Sequence, residues 1–109
     1  MKTPYPYDGP AEWQEPVENA LREVTDPEVG LNIVDVGLVY GVTVQPQAVT
    51  VRITMTSAAC PLGDVIMEDV AARVTQALPA GTDVRVELVW EPPWTPERLS
   101  DHGRQMMGW

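Results

Sequence analysis

Val49-Thr50-Val51-Arg52-Ile53-Thr54-Met55-Thr56-Ser57-Ala58-Ala59-Cys60-Pro61-Leu62 is the stretch whose reading decides the fold. Through Met55 the apolar side chains fall on every second residue, the period of a strand with one buried face. Beyond Cys60 the period changes. Leu62, Ile66, Val70 and Val74, with Val65 and Leu78 beside them, mark one face of a helix from Pro61 to about Ala77. Upstream, Leu38, Tyr40, Val42 and Val44 alternate as well, and Gln45-Pro46-Gln47-Ala48 is short enough to join the two strands as a hairpin. Gly41 inside the first strand predicts a bulge or a close backbone approach. Downstream, Pro79-Ala80-Gly81 stops the helix, and Val84, Val86, Leu88 and Trp90 form a third strand, closed by Pro92-Pro93. A right-handed crossover through the helix makes the second and third strands parallel.

Further out, Val17, Ala20, Leu21 and Val24 lie on one face of a first helix near 16–24, with Pro16 at its first position and Pro27 beyond its end. Asp26 to Asn32 is turn chemistry, and Ile33 to Gly37 lead into the first strand. Thr95 caps a short last helix with Pro96 at its first position. Residues 1–15, with Pro4, Pro6, Gly9 and Pro10, read as a flexible N-terminal arm, leaving 16–109 as a single domain. The expected architecture is α/β (α+β): a two-layer sandwich in the order α-β-β-α-β-α, with helices on one face of a small three-stranded mixed sheet.

Composition narrows the function. The 109 residues are 44% hydrophobic and 21% charged, ordinary for a globular domain, and 16 acidic against 7 basic side chains give a net charge of -9. That charge opposes binding to nucleic acid or to anionic membranes. No Gly-x-x-Gly loop of the kind that clamps RNA accompanies the α-β-β-α-β order. No apolar run approaches the roughly 18 residues of a membrane span, and the N-terminus lacks a signal-peptide core, so a cytoplasmic location is expected. One cysteine excludes an internal disulfide and any all-cysteine metal site within one chain.

Cys60 stands where free backbone N–H groups and the helix dipole favour a thiolate, which lowers thiol pKa values to roughly 3.5–7.5 at such termini. Asp64 and the net charge push the other way. The alternative is a small side chain filling the space between loop and helix. Asp26, Glu28 and Asp35 could help a thiolate hold a metal or share a proton; equally, Asp26 before Pro27 is turn chemistry and Asp35 can bond nearby amides. His102 reads as solvated, because a Cys60–His102 pair would need the tail folded back over the second helix. Trp90 continues the inward alternation of the third strand and is expected in the core. Trp94 follows an extended Pro92-Pro93 turn; burying a tryptophan is worth roughly 4–6 kcal/mol at most, so it packs over the sheet end or belongs to an interface. Met106, Met107 and Trp109 add apolar surface that points to self-association or a partner.

Asp26-Pro27-Glu28, Ile33-Val34-Asp35-Val36-Gly37-Leu38-Val39-Tyr40, Met55-Thr56-Ser57-Ala58-Ala59-Cys60-Pro61 and the run from Val86 to Ser100 around Trp90-Glu91-Pro92-Pro93-Trp94 stand in order. Together they resemble the metal-sulfur cluster biosynthesis family, which includes SufT and PaaD-like proteins and the targeting component of the eukaryotic cytosolic iron–sulfur machinery. The resemblance spans residues 16 to 108. It implies an α/β assembly-type fold and an accessory role in placing iron–sulfur clusters on client proteins. It also implies that Cys60 is the functional thiol, with Asp26 and Asp35 near it and Thr56 in its loop. Glu91 replaces the usual aspartate and keeps its charge. The cysteine-rich tail of PaaD-type members has no counterpart, so a general assembly role is expected.

Mechanistically, one thiol cannot hold a cluster that normally takes about four thiolate-type ligands. Cys60 would therefore act as a transfer or metal ligand with its twin in a homodimer, with client cysteines, or with carboxylates such as Asp35, on a transient iron–sulfur cluster or iron. The expected partners are iron–sulfur assembly or carrier proteins and client apoproteins. The rival expectation is a metal-free adaptor that docks assembly machinery to clients through the Trp94 region. A cysteine-nucleophile enzyme has neither a credible base nor an oxyanion arrangement, so no enzymatic activity is expected.

Overall fold

The computed structural model describes residues 5–26, 29–55 and 63–108. At its centre is the expected hairpin. Strands β4 (Val39–Gln45) and β5 (Ala48–Ile53) pair antiparallel from Val39↔Ile53 to Gln45↔Ala48. Between them Gln47 adopts a φ of 68°, the left-handed conformation that a tight turn uses at its second central residue. Of the two alternatives posed by Gly41, the bulge is observed, and what approaches closely is a side chain rather than another backbone. The register shifts between Val39 and Gly41, a bulge, and the Arg52 guanidinium lies 2.8 Å from where a Cβ on Gly41 would stand. From there Arg52 donates to Thr43 Oγ1 at 3.0 Å.

Helix α3 (Gly63–Ala77) carries the chain across to β6 (Asp83–Leu88), which pairs parallel with β5 from Ala48↔Asp83 to Ile53↔Leu88. Strand alternation then separates the two faces of the sheet. Val42, Val44, Val49, Val51 and Ile53 are buried against Ile66, Val70 and Val74 of α3 and Val17 and Leu21 of the first helix. Thr43, Thr50, Arg52, Arg85 and Glu87 line the opposite, polar face. The two-layer arrangement with helices on one side is therefore the observed one.

The ends of the chain differ from expectation. Within the stretch read as an arm, β1 (Tyr7–Asp8) pairs parallel with β4, so among the described residues the main sheet has four strands, in the order β1-β4-β5-β6, rather than three. Helix α1 (Ala11–Arg22) begins five residues ahead of Pro16, which lies inside it. Its apolar face reaches back to Trp13, which packs against the core beside Val17, and that burial offsets the hydrogen bond Pro16 cannot make. Short strands β2 (Thr25–Asp26) and β3 (Leu31–Asn32) pair antiparallel. Ile33–Val36 forms a one-turn helix, α2, instead of leading straight into a strand. Asn32 caps it by accepting from Asp35 N at 2.9 Å, and Gly37 ends it at a φ of 85°.

The single last helix expected after Thr95 is split into a 3-10 turn, Pro96–Arg98, and α4 (Asp101–Met107). Ser100 supplies the side-chain cap, accepting from Gly103 N at 2.9 Å, whereas Thr95 caps with its backbone alone. Trp90 is 42% exposed and not in the core. β6 ends at Leu88 and is an edge strand, so nothing continues its inward row to cover Trp90. No described helix is long and apolar enough to cross a membrane.

Candidate functional site at one end of the sheet

Antiparallel β4 and parallel β6 flank β5, so three chain ends meet at one end of the sheet. They are the start of β4, the carboxyl end of β5 and the carboxyl end of β6. Thr54 N donates to Leu38 O at 2.8 Å, and Val89 N to Ile53 O at 2.8 Å, extending both ladders to that end. The segment containing Thr56 and Cys60 joins β5 to α3. Both residues lie outside the described ones.

Asp35 occupies the α2 side of this end, 5% exposed, with each carboxylate oxygen in use. Oδ1 accepts from the Ser100 hydroxyl at 2.8 Å and from Arg22 at 3.4 Å, and Oδ2 accepts from the Asn32 side-chain amide at 2.7 Å. Burial alone would raise its pKa. The hydrogen bonds from Ser100 and Asn32, with the Arg22 charge, outweigh burial and hold the carboxyl below its usual range. The main chain adds a further tie, since Ser100 N donates to Asp35 O at 2.8 Å. Asp35 thus joins α1, α2 and the C-terminal segment at one buried carboxylate. Of the two roles open to it in the sequence, the structure displays the amide- and hydroxyl-binding one.

Two glycines let the C-terminal segment come this close. A Cβ on Gly37 would collide with the Arg98 carbonyl oxygen, and one on Gly103 would stand 2.8 Å from Asp35 O. Trp94 packs against the core and donates its indole N–H to Val36 O at 2.8 Å. Of the two positions open to Trp94, packing over the sheet end describes its intramolecular contacts. Tyr40, at the bulge, donates to Pro92 O at 2.5 Å while Arg98 stacks over its ring, 4.4 Å from the centroid.

Asp26 is 1% exposed, in β2 beside Asp35's helix. Its Oδ1 accepts from Val29 N at 3.4 Å and its carbonyl accepts from Gly30 N at 2.7 Å, the turn chemistry that its place ahead of Pro27 suggests. Among the described residues no group of three or more His, Cys, Asp or Glu side chains is placed to hold a metal. His102 is exposed on α4.

The β6 side of the same end is built differently. Leu88 and Trp90 are 38% and 42% exposed, whereas Val65, 55% exposed in the first turn of α3, lines a hollow with Thr25 of β2. Thr54, fully buried just past the carboxyl end of β5, has a hydroxyl with no hydrogen-bond partner among the described residues. Sequence reasoning missed Asn32, Ser100 and Arg22 as the partners of Asp35. Ser100, three residues before Gly103 and ahead of Asp101, carried a readable capping signal; Arg22 and Asn32 become partners only through tertiary packing.

Residues 14–88 match the family model described as iron-sulfur cluster assembly protein. The chain is 38% identical over 96 residues to the Fe-S protein maturation auxiliary factor YitW of Bacillus subtilis, covering 87% of this chain and 93% of that one. It is 42% identical over 86 residues to the Fe-S protein maturation auxiliary factor SufT of Staphylococcus aureus, covering 78% and 97%. A crystal structure of a domain of unknown function from Bacillus anthracis superposes with a TM-score of 0.83 at 35% identity, over 89% of this chain and 92% of that one. A match over most of the chain, shared in sequence and in fold, places this protein in the iron–sulfur cluster assembly protein family.

Proposed function

We propose that this protein is an auxiliary, non-catalytic factor in iron–sulfur protein maturation, with Cys60 as the thiol through which iron or a cluster passes to client proteins. The observation that carries the reading is the near full-length similarity to two Fe-S protein maturation auxiliary factors. The chain contains a single cysteine. A cluster takes about four thiolate-type ligands, so Cys60 can hold only part of the cargo's coordination. Partial ligation suits transfer. An incoming client thiolate replaces the Cys60 sulfur at iron, the Fe–S bond to Cys60 breaks, and the client's thiol proton passes to the released thiolate or to solvent. Asp26 and Asp35 act in support, Asp35 by holding α2 beside the strand that delivers Cys60. Thr56 stands four residues ahead of Cys60 in the sequence.

The same reading gives the partners: assembly or carrier proteins, client apoproteins and a second copy of this chain. It also gives the compartment, a reducing cytoplasm in which a lone thiol stays free. The exposed pair Leu88 and Trp90 favours a second reading, a metal-free adaptor that docks machinery to clients.

Anaerobic reconstitution with iron and sulfide, wild type beside Cys60→Ser, separates the two when paired with a client maturation assay. A chromophore confined to the wild type, with maturation lost in folded Cys60→Ser, supports transfer through the thiol. Maturation intact in Cys60→Ser but lost in Trp90→Ala supports the adaptor.

A further inference from the structure

Among the described residues β6 is the outer strand of the sheet, with β5 on one side and no strand on the other. Asp83 N donates to Gln47 O and Val89 N to Ile53 O, which fixes the phase of the ladder. In a parallel pair alternate residues direct both main-chain groups to the neighbour. The odd residues of β6 therefore bond inward, and Val84, Val86 and Leu88 direct their N–H and C=O groups to the open edge. The side chains of these three continue the core face, with Val84 and Val86 half-buried and Leu88 exposed. Arg85 and Glu87 stand on the polar face, both exposed. An edge of this length with no strand paired to it among the described residues is one that a chain must either protect or use.

The strand complements itself about Val86. Antiparallel pairing of two copies around a two-fold axis there sets Val86 opposite Val86 and Val84 opposite Leu88, and these are the residues whose main-chain groups face outward. Arg85 then stands opposite Glu87, twice. Those pairs fall at the non-hydrogen-bonded positions, where facing Cα atoms approach to about 4.5 Å and side chains interact most closely. Centring the axis on Arg85 or on Glu87 sets like charges against each other. A shift by one residue sets outward-facing main-chain groups against inward-facing ones.

We propose that β6 is the self-association edge of this protein, and that two copies join it antiparallel about Val86 into one continuous sheet. This rests on the reading of the chain as self-associating and adds the surface and its register. It has a mechanical consequence. Each Leu88 lies opposite the other copy's Val84, so the two carboxyl ends of β6, and the ends of β5 from which the Cys60 segments leave, point apart.

Sedimentation equilibrium on the full-length chain tests this. Wild type should be a dimer. Val86→Pro removes an N–H that β5 does not use, so the fold is kept, and dimer affinity should fall about tenfold to a hundredfold. Glu87→Lys should weaken the dimer about tenfold, and adding Arg85→Glu should restore it to within about threefold. A monomeric wild type would remove self-association and the proposal with it. A dimer insensitive to all three variants would leave self-association standing and overturn this edge as its surface. A monomeric wild type whose client maturation fails on Val86→Pro would instead give the edge to an extended client segment.

Discussion

The two sides of the working end are opposites in how their polar groups are treated. On the α2 side, the Asp35 carboxylate, the Asn32 amide, the Ser100 hydroxyl and the Trp94 indole all have partners, and Gly37 and Gly103 allow backbones to touch. On the β6 side, Leu88 and Trp90 face solvent, and beside it, at the end of β5, the Thr54 hydroxyl is buried without a partner among the described residues. The same few strands support both. A satisfied polar network fixes one arrangement, because each member lost leaves others desolvated and unpaired. The unsatisfied side has no such penalty holding it and keeps surface free for a partner. The contrast suggests that one side is framework and the other contact surface.

Breaking the framework side should give the largest effects. Gly37→Ala adds a Cβ where the Arg98 carbonyl stands and forces a side chain into φ 85°. The left-handed penalty and the clash together should cost about 2–5 kcal/mol, read as a lower urea midpoint with an unchanged slope. Asp35→Asn comes next. It removes the charge that Arg22 and two hydrogen-bond donors address, and should cost about 2–3 kcal/mol.

The same residue predicts a pH signature. Unfolded, Asp35 takes up its proton near pH 3.9, and folded it does so lower, because Ser100, Asn32 and Arg22 outweigh its burial. Its contribution is therefore complete above that range and is lost as pH falls through the depressed folded value. Wild-type urea midpoints should drop below about pH 4 more steeply than those of Asp35→Asn. Parallel pH profiles would show that the carboxylate is not the tie.

Much of the framework was legible because it is periodic. Val49, Val51 and Ile53 announced a strand, Ile66, Val70 and Val74 a helix, and both lie in the core. The α2 turn was not, since Ile33-Val34-Asp35-Val36 has no helical stripe of its own and owes its form to the Asn32 cap and the Gly37 stop. The early start of α1 was hidden by Pro16, whose local preference is outweighed by the burial of Trp13. Trp90 misled for a related reason: alternation tells which way a side chain points, not whether a neighbour covers it. Asp35 was legible as a candidate from its motif, while its partners Arg22 and Ser100, 13 and 65 residues away in sequence, come together only on folding.

The contact side should respond in the opposite sense. Thr54→Val replaces a buried hydroxyl, unpartnered among the described residues, by a methyl of nearly the same volume, and should stabilise the fold by about 1 kcal/mol. A loss instead would mean that the hydroxyl has a partner in the working protein, and would move Thr54 from the contact side to the framework side.

Trp90→Ala should have the smallest effect on stability, within about 0.5 kcal/mol, because the residue is 42% exposed and its indole has no hydrogen bond among the described residues. If the contact surface is real, that same variant should lose client maturation or carrier binding while its urea midpoint stays at the wild-type value. The discriminating control is Trp94→Phe, on the framework side. It keeps an aromatic ring, smaller than the indole, but removes the N–H bonded to Val36 O, and should lower stability by about 1–2 kcal/mol while maturation by the remaining folded protein is unchanged. If both variants altered stability and maturation together, the division between the two sides would fail, and the C-terminal segment would have to be read as one unit with β6.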